Sequence, residues 1–220
     1  MNKQELIQLI EQEGLIAIIR GIEEEKCIKI AKALIDGGVK ILEVAFNPSD
    51  NTTIETTAHI IKRIKETYKD QLTVGAGTVI YEEYLKAAYE AGAEFIYSPD
   101  TDTDIIKMTN EFGLVSIPGA ITPTECKTAM KAGADIIKLF PTTENDLGYI
   151  VNITRPLSHM KFVCTGGVNL DTIEKFLSAG AIGVGTGISI IKPELVENED
   201  YEEMTNLARK HVEIIKNFKK

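Results

Sequence analysis

Lys138 stands in the segment DIIKLFPTT (residues 135–143), between Ile136, Ile137, Leu139 and Phe140. Branched and aromatic residues ended by Pro141 predict a buried strand. A lysine is seldom fully buried without a partner or a task. Glu43 poses the same problem in ILEVAF (41–46), among Leu42, Val44 and Phe46. Burial lowers an amine pKa from about 10.4 toward neutrality, and a free amine can attack a carbonyl to form a Schiff base. A neighbouring carboxylate favours the charged amine and opposes that shift, yet it supplies the acid and base for proton transfers. The alternative is a buried ion pair that merely fills the interior, although such pairs are weak sources of stability.

Two glycine-rich segments add a candidate anion site, CTGGVNLD (164–171) and GVGTGIS (183–189). Glycine lets backbone N–H groups approach an anion, and a helix N-terminus favours negative charge. Gly166, Gly167, Gly185, Thr186 and Gly187 form the candidate cradle; tight-turn geometry alone is the other reading. Arg20 closes IAIIRG and can grip a carboxylate through two hydrogen bonds, or form a surface salt bridge. Thr78 in VGAGTV and Thr165 in CTGG also end apolar runs, where each can hydrogen-bond a substrate or cap the next helix.

These residues need elements to hold them. The phrases IDGGVKILEV, YEAGAEFIYS, MKAGADIIKL and LSAGAIGVGT each read as a helix end, a glycine stop and an apolar strand. Their spacing leaves room for two strand–helix units apiece, hence eight units. Strands are predicted at 15–20, 41–46, 72–78, 95–99, 114–119, 136–141, 161–167 and 182–186. Helices are predicted at 24–36, 51–67, 81–91, 102–112, 122–132, 145–155, 170–179 and 200–217, with Ser49 or Asp50, Asp102, Thr122 and Asp171 as caps. Such a pattern predicts an α/β fold, a (β/α)₈ TIM barrel over 14–220 with an extra N-terminal helix over 1–13, in one domain spanning 1–220. A doubly wound open sheet is the alternative. In a barrel, sites gather at the C-terminal strand ends and alternate residues face inward. If Lys138 points inward, Ile136 and Phe140 do too, while Ile137 and Leu139 meet the helices. The second and sixth strands lie opposite each other, so Glu43 and Lys138 can meet near the axis.

Composition narrows the function classes. The net charge of −9 argues against nonspecific nucleic-acid binding, so an anionic ligand needs a local site. Cys27, Cys126 and Cys164 are odd in number and far apart, which suggests reduced thiols and a cytoplasmic protein. No apolar run is long enough to cross a membrane, and the three scattered histidines suggest no metal site.

Together, IIRG (18–21), GGVKILEV (37–44), VGAGTV (74–79), SP (98–99), IPGAITPTE (117–125), KLFP (138–141) and TGGVNLD (165–171) resemble one family. It is that of the bacterial 2-keto-3-deoxy-6-phosphogluconate (KDPG) aldolases, also called the 4-hydroxy-2-oxoglutarate (KHG) aldolases. The resemblance runs over nearly the whole chain. It implies a class I aldolase without metal or cofactor, a homotrimer, acting on a phosphorylated keto acid and yielding pyruvate. It implies Lys138 as the Schiff-base lysine and Glu43 as general acid and base. It places Arg20 and Thr78 at the keto-acid end, Pro99, Phe140 and Pro141 near the lysine, Thr165 beside the imine, and phosphate at Gly166, Gly167 and the last strand's loop. One segment departs: EVAFNPSD (43–50) has Ala45, Phe46 and Asn47 where many members carry a threonine and an arginine. Its Asn-Pro form, like IIRGI, resembles the 6-phosphogalactonate aldolases, whereas CTGGVNLD resembles the phosphogluconate branch. A phosphosugar isomerase or epimerase with Glu43 as base, and a phosphometabolite-binding barrel without catalysis, are the competing readings.

Overall fold

In the computed structural model, which describes residues 1–220, the apolar runs become parallel strands and the amphipathic stretches become helices around them. The order is α1 (Lys3–Glu13), β1 (Leu15–Arg20), α2 (Glu24–Asp36), β2 (Ile41–Ala45), α3 (Thr53–Tyr68), β3 (Thr73–Gly77), α4 (Glu82–Glu90), β4 (Phe95–Tyr97) and α5 (Thr103–Glu111). Then follow β5 (Val115–Ile117), β6 (Gly119–Ala120), α6 (Pro123–Ala132), β7 (Ile137–Leu139), α7 (Leu147–Thr154), β8 (Phe162–Thr165), α8 (Ile173–Ser178), β9 (Gly183–Thr186), α9 (Pro193–Glu197) and α10 (Tyr201–Phe218).

The sheet runs β5-β4-β3-β2-β1-β9-β8-β7-β6. Its two ends, β5 and β6, are halves of one strand interrupted at Pro118, which has no N–H to give to a ladder. β5 pairs with β4, β6 pairs with β7, and the chain itself joins them. The fold is therefore a (β/α)₈ barrel with an extra N-terminal helix, and the open-sheet alternative falls. The strand predicted at 114–119 is the one that splits, so β7, β8 and β9 are the sixth, seventh and eighth barrel strands.

Strand alternation builds two apolar layers. Ile16, Ile41, Phe95, Tyr97, Val115, Ile117, Ile136 and Val163 fill the barrel interior. Their neighbours, including Ala17, Leu42, Val44, Ile96, Ile137, Leu139, Cys164 and Val184, pack outward under the helices. α1 closes the end of the barrel away from the strand C-termini. Asn2 caps it in a capping box with Glu5, Gly14 ends it in a left-handed conformation, and Leu6, Ile7 and Ile10 join the interior layer. Lys219 at the other terminus donates to Ile182 O at 2.8 Å, tying α10 to that closure.

Local chemistry sets the helix starts. Asp102 accepts from the Asp104 and Ile105 amides, and Thr122 forms a capping box with Glu125, both as predicted. Two predicted caps are displaced. Asp50 instead closes an Asx turn onto the Thr52 amide (2.9 Å), so α3 begins after Thr52; α8 begins after Thr172 rather than Asp171. The short α9, opened by Pro193, was not predicted. No helix is long and apolar enough to cross a membrane. The three cysteines are free and buried, and burial pushes the Cys27 and Cys164 thiols up to about 12.

Candidate active site

The inward alternation of β7 puts Lys138 inside the barrel, only 4% exposed, with Ile136 in the interior layer below it. Its Nζ lies 4.2 Å from the centroid of the Tyr97 ring and 4.7 Å from that of Phe140. These rings keep water from the amine. They also present negative faces to any cation formed there. Loss of hydration lowers the Lys138 pKa from its ordinary value, while the charge on Glu43 works in the opposite direction.

Glu43 enters the same interior from β2, 1% exposed, and its Oε2 has no hydrogen-bond partner. A charged oxygen left bare in a dry interior is costly, so the proton is held more tightly. Burial raises the Glu43 pKa to about 7, against the pull of Lys138 and Arg20. The carboxyl fits because Gly77 has no side chain: a Cβ there would fall 1.4 Å from Glu43 Oε1. Lys138 and Glu43 thus sense each other's charge across the mouth without neutralising one another in a close pair.

Arg20, at the exposed end of β1, donates from Nη2 to Thr78 Oγ1 at 2.7 Å. Thr78 does not cap α4; it follows β3 with φ of 56°, an unusual conformation for a β-branched residue. That backbone turns its hydroxyl toward the guanidinium, so the two side chains expected to hold a carboxylate do converge. Pro99 follows β4, and its carbonyl occupies the space above Gly119, which is the register partner of Lys138. Phe140 is half-buried beside the amine, and Pro141 follows it through a cis peptide bond.

Thr165, on β8, does not cap a helix either. Its hydroxyl is hydrogen-bonded to the hydroxyl of Tyr97, which is fully buried. Tyr97 was absent from the sequence-derived candidates. The signal for it was present: in FIYSP, an inward Phe95 requires an inward residue two positions on. The space for this pair comes from Gly185, where a Cβ would sit 2.5 Å from Tyr97 Oη and 2.6 Å from Thr165 Oγ1.

That placement sets Gly185 and Thr186 apart from the other residues of the expected phosphate cradle. Gly185 belongs to the β9 ladder inside the barrel, paired with Thr165, and Thr186 turns its side chain outward to Val168 O and Ser189. Gly166 and Gly167 remain at the mouth, with φ of 107° and 62°. Their N–H groups, and those of Gly187, Ile188 and Ser189, donate to no backbone carbonyl. Five free amides on two adjacent loops form an anion-binding nest without a helix N-terminus. Hydroxyls anchor the first loop from behind. Thr142 donates to Thr165 O and Gly166 O, both at 3.0 Å, and Thr172 donates to Gly167 O at 2.9 Å. No three His, Cys, Asp or Glu side chains gather where they could hold a metal ion.

The arrangement is a desolvated amine, a carboxyl poised near neutrality, a cation with a hydroxyl, and a nest of amides around one opening. Known proteins resemble this chain over most of its length. The KDPG and KHG aldolase family profile matches residues 6–207. The KHG/KDPG aldolase of Escherichia coli is 31% identical over 190 residues, 86% of this chain and 86% of its own. The 2-dehydro-3-deoxy-6-phosphogalactonate aldolase of the same organism is 30% identical over 179 residues, 81% of this chain and 84% of its own. The structure of a KDPG aldolase from Legionella pneumophila, with pyruvate captured as a covalent carbinolamine, superposes with a TM-score of 0.83 at 25% identity, covering 93% of this chain and 97% of that one.

Proposed function

The chain belongs to the KDPG and KHG aldolase family, and on that premise we propose that it cleaves KDPG to pyruvate and glyceraldehyde 3-phosphate through a Schiff base on Lys138. The observation that carries this reading is a buried Lys138 beside a buried Glu43 whose Oε2 is unpartnered. An ion pair kept for stability would be closed and satisfied; these two groups form no salt bridge, and Glu43 Oε2 is left without a partner.

The geometry supports the following course. The uncharged Lys138 amine adds to the C2 ketone, and Glu43 relays a proton to the carbinolamine hydroxyl, which leaves as water to give an iminium. The Tyr97 and Phe140 rings that shelter the amine favour this cation. Glu43, ionised, takes the C4 hydroxyl proton. The C3–C4 bond breaks, C4 becomes the aldehyde of glyceraldehyde 3-phosphate, and the electron pair forms the enamine at C3. Glu43 returns its proton to C3, and water hydrolyses the pyruvate iminium, freeing the amine. A carboxyl with a pKa of about 7 serves as acid and base in the same cycle. Arg20 and Thr78 hold the substrate carboxylate, and the Gly166–Gly167 and Gly187–Ser189 amides hold the phosphate.

The galactonate-derived epimer is the second reading. It rests on the Asn47-Pro48 text after Glu43 and on the phosphogalactonate aldolase relative. KHG, whose cleavage would give pyruvate and glyoxylate, needs only the carboxylate half of the site. The homotrimer and the cytoplasmic setting are part of the proposal, the first supported by the family resemblance and the second by three free cysteines. Incubation with pyruvate and borohydride should fix a pyruvate-derived adduct on the Lys138 peptide. Turnover of KDPG with Lys138 left unmodified would refute the Schiff base on Lys138, and a protein that neither forms the adduct nor cleaves KDPG would return the isomerase reading. Rates of pyruvate release from the two epimers rank the substrates.

A further inference from the structure

His211, on α10, is fully buried and joined to the loop after β9 by a chain of side-chain hydrogen bonds. Its Nδ1 lies 2.7 Å from Leu207 O, and its Nε2 lies 2.8 Å from Ser189 Oγ. Ser189 Oγ in turn lies 2.9 Å from Thr186 Oγ1. One carbonyl sets the direction of the relay. Leu207 O can only accept, so Nδ1 carries the ring hydrogen and Nε2 offers a lone pair. Ser189 therefore donates to Nε2, and its oxygen is left to accept from Thr186. The alternative acceptor for Thr186, Val168 O, is farther away at 3.3 Å. Burial lowers the His211 pKa, which keeps the ring in the neutral form this relay requires.

The segment that the relay fixes is the second half of the amide nest. Ile190 and Ile191 both donate to Gly187 O, at 3.0 and 2.7 Å, so residues 187–191 form one tight turn. Gly187 is pressed on β1, where a Cβ would fall 2.6 Å from Ile18 O. The turn leaves the Gly187, Ile188 and Ser189 amides free, while the Ile188 side chain projects into solvent. Backbone contacts thus hold the front of the turn on β1, the buried side chains of Ile190 and Ile191 seat its far end in the core, and Ser189 is its side-chain hydrogen bond to the protein interior.

We propose that His211 is a positioning residue for phosphate recognition: through Ser189 and Thr186 it sets the turn after β9 so that its free amides face the substrate's phosphate. This rests on the reading of the mouth as an aldolase site, and it assigns to α10 a part in substrate choice that α10's distance from Lys138 would not suggest. The relay contributes no charge. Its work is to remove the freedom of a loop that binds an anion with backbone dipoles alone.

The test separates the phosphate half of the site from the carbonyl half. His211→Phe and Ser189→Ala are compared with wild type in two measurements: KM for KDPG, and the pyruvate concentration that half-saturates borohydride capture. Loss of one neutral hydrogen bond should raise KM roughly three- to tenfold, while capture of pyruvate, which has no phosphate, shifts by less than about twofold. His211→Gln, which can still offer an oxygen to Ser189, should fall between. A parallel loss in both measurements, or an unchanged KM, overturns the proposal. Should His211→Phe fail to fold, Ser189→Ala decides the matter. A wild-type protein that neither captures pyruvate nor cleaves the keto acid would instead remove the aldolase reading itself, and the role of His211 with it.

Discussion

Replacing Gly77 with alanine is expected to disable Glu43 while leaving the barrel folded. The new Cβ would lie 1.4 Å from Oε1, 2.2 Å from Cδ and 2.7 Å from Cγ of Glu43. Ordinary contact begins at 3.4 Å, so the carboxyl must retreat by 3.4 − 1.4 = 2.0 Å. The Gly77 backbone is not in the left-handed region, so alanine meets no conformational barrier and the conflict is purely with the side chain. A displacement of about 1 Å at a reacting group can cost about 10²-fold, so turnover should fall by at least that factor, or about 2.7 kcal/mol in barrier. Overpacking costs about 1–3 kcal/mol of stability, a fall in Tm on the order of 10 °C at most for a chain of this length. The assay is exchange of pyruvate methyl hydrogens with heavy water, followed by proton NMR, because it needs only Lys138 and the Glu43 proton transfer. Glu43→Asp draws the carboxyl back by about one C–C bond, roughly 1.5 Å. The double variant Gly77→Ala/Glu43→Asp should therefore exchange faster than Gly77→Ala alone. A folded Gly77→Ala protein exchanging at the wild-type rate would refute the steric reasoning, as would a double variant no faster than the glycine replacement.

Lys138→Met should retain the fold, lose borohydride capture, and release no pyruvate from KDPG, as checked by mass spectrometry and a coupled assay. The ionised form of Glu43 starts the cleavage, so kcat/KM should decline as pH falls below about 7, and Glu43→Gln should abolish that limb along with most of the activity. The same shift has a sign for stability. With a folded pKa of about 7 against an ordinary 4.5, the folded state binds more protons across that window, so stability falls as pH rises through it. Glu43→Gln should then melt higher than wild type at about pH 8, with the gain shrinking toward about pH 5. Tyr97→Phe keeps the ring over Lys138 but frees Thr165; pyruvate capture should be nearly unchanged while kcat on KDPG falls roughly threefold to tenfold, the worth of one hydrogen bond. Thr172→Ala releases Gly167 O and should raise KM for KDPG more than it alters pyruvate capture.

The barrel was legible because its signals are local and repeated. Glycine stops after helices and apolar runs between them mark eight units, and period-two alternation on ILEVAF and DIIKLFP turns Glu43 and Lys138 inward. What escaped depends on contacts between distant segments. Pro118 breaks the fifth strand, because a proline N has nothing to donate to the ladder at the place where the sheet closes. Gly185 and Thr186 sit in a glycine-rich phrase that looks like a phosphate loop, but Gly185 lies in the β9 ladder, where it makes room for Tyr97 and Thr165. Gly187 was legible as part of the glycine-rich phrase, but the hydrogen bond from Ser189 to His211 was not, because the sequence position of His211 gives no hint of it.

The interior glycines explain why this site can exist at all. A barrel of eight strands is normally filled by layers of large side chains. Here three glycines make room for larger side chains on other strands: Gly75 for Phe95, Gly77 for Glu43, and Gly185 for Tyr97 with Thr165. The volume given up on β3 and β9 is what admits a carboxyl and a phenol into the layer of Lys138. Filling those positions with alanine or valine would make a better packed core. It would also force the carboxyl and the phenol away from the amine. Gly75, Gly77 and Gly185 are thus spatial requirements of side chains on other strands, legible in the sequence as strand residues but not as the partners of Phe95, Glu43 and Tyr97.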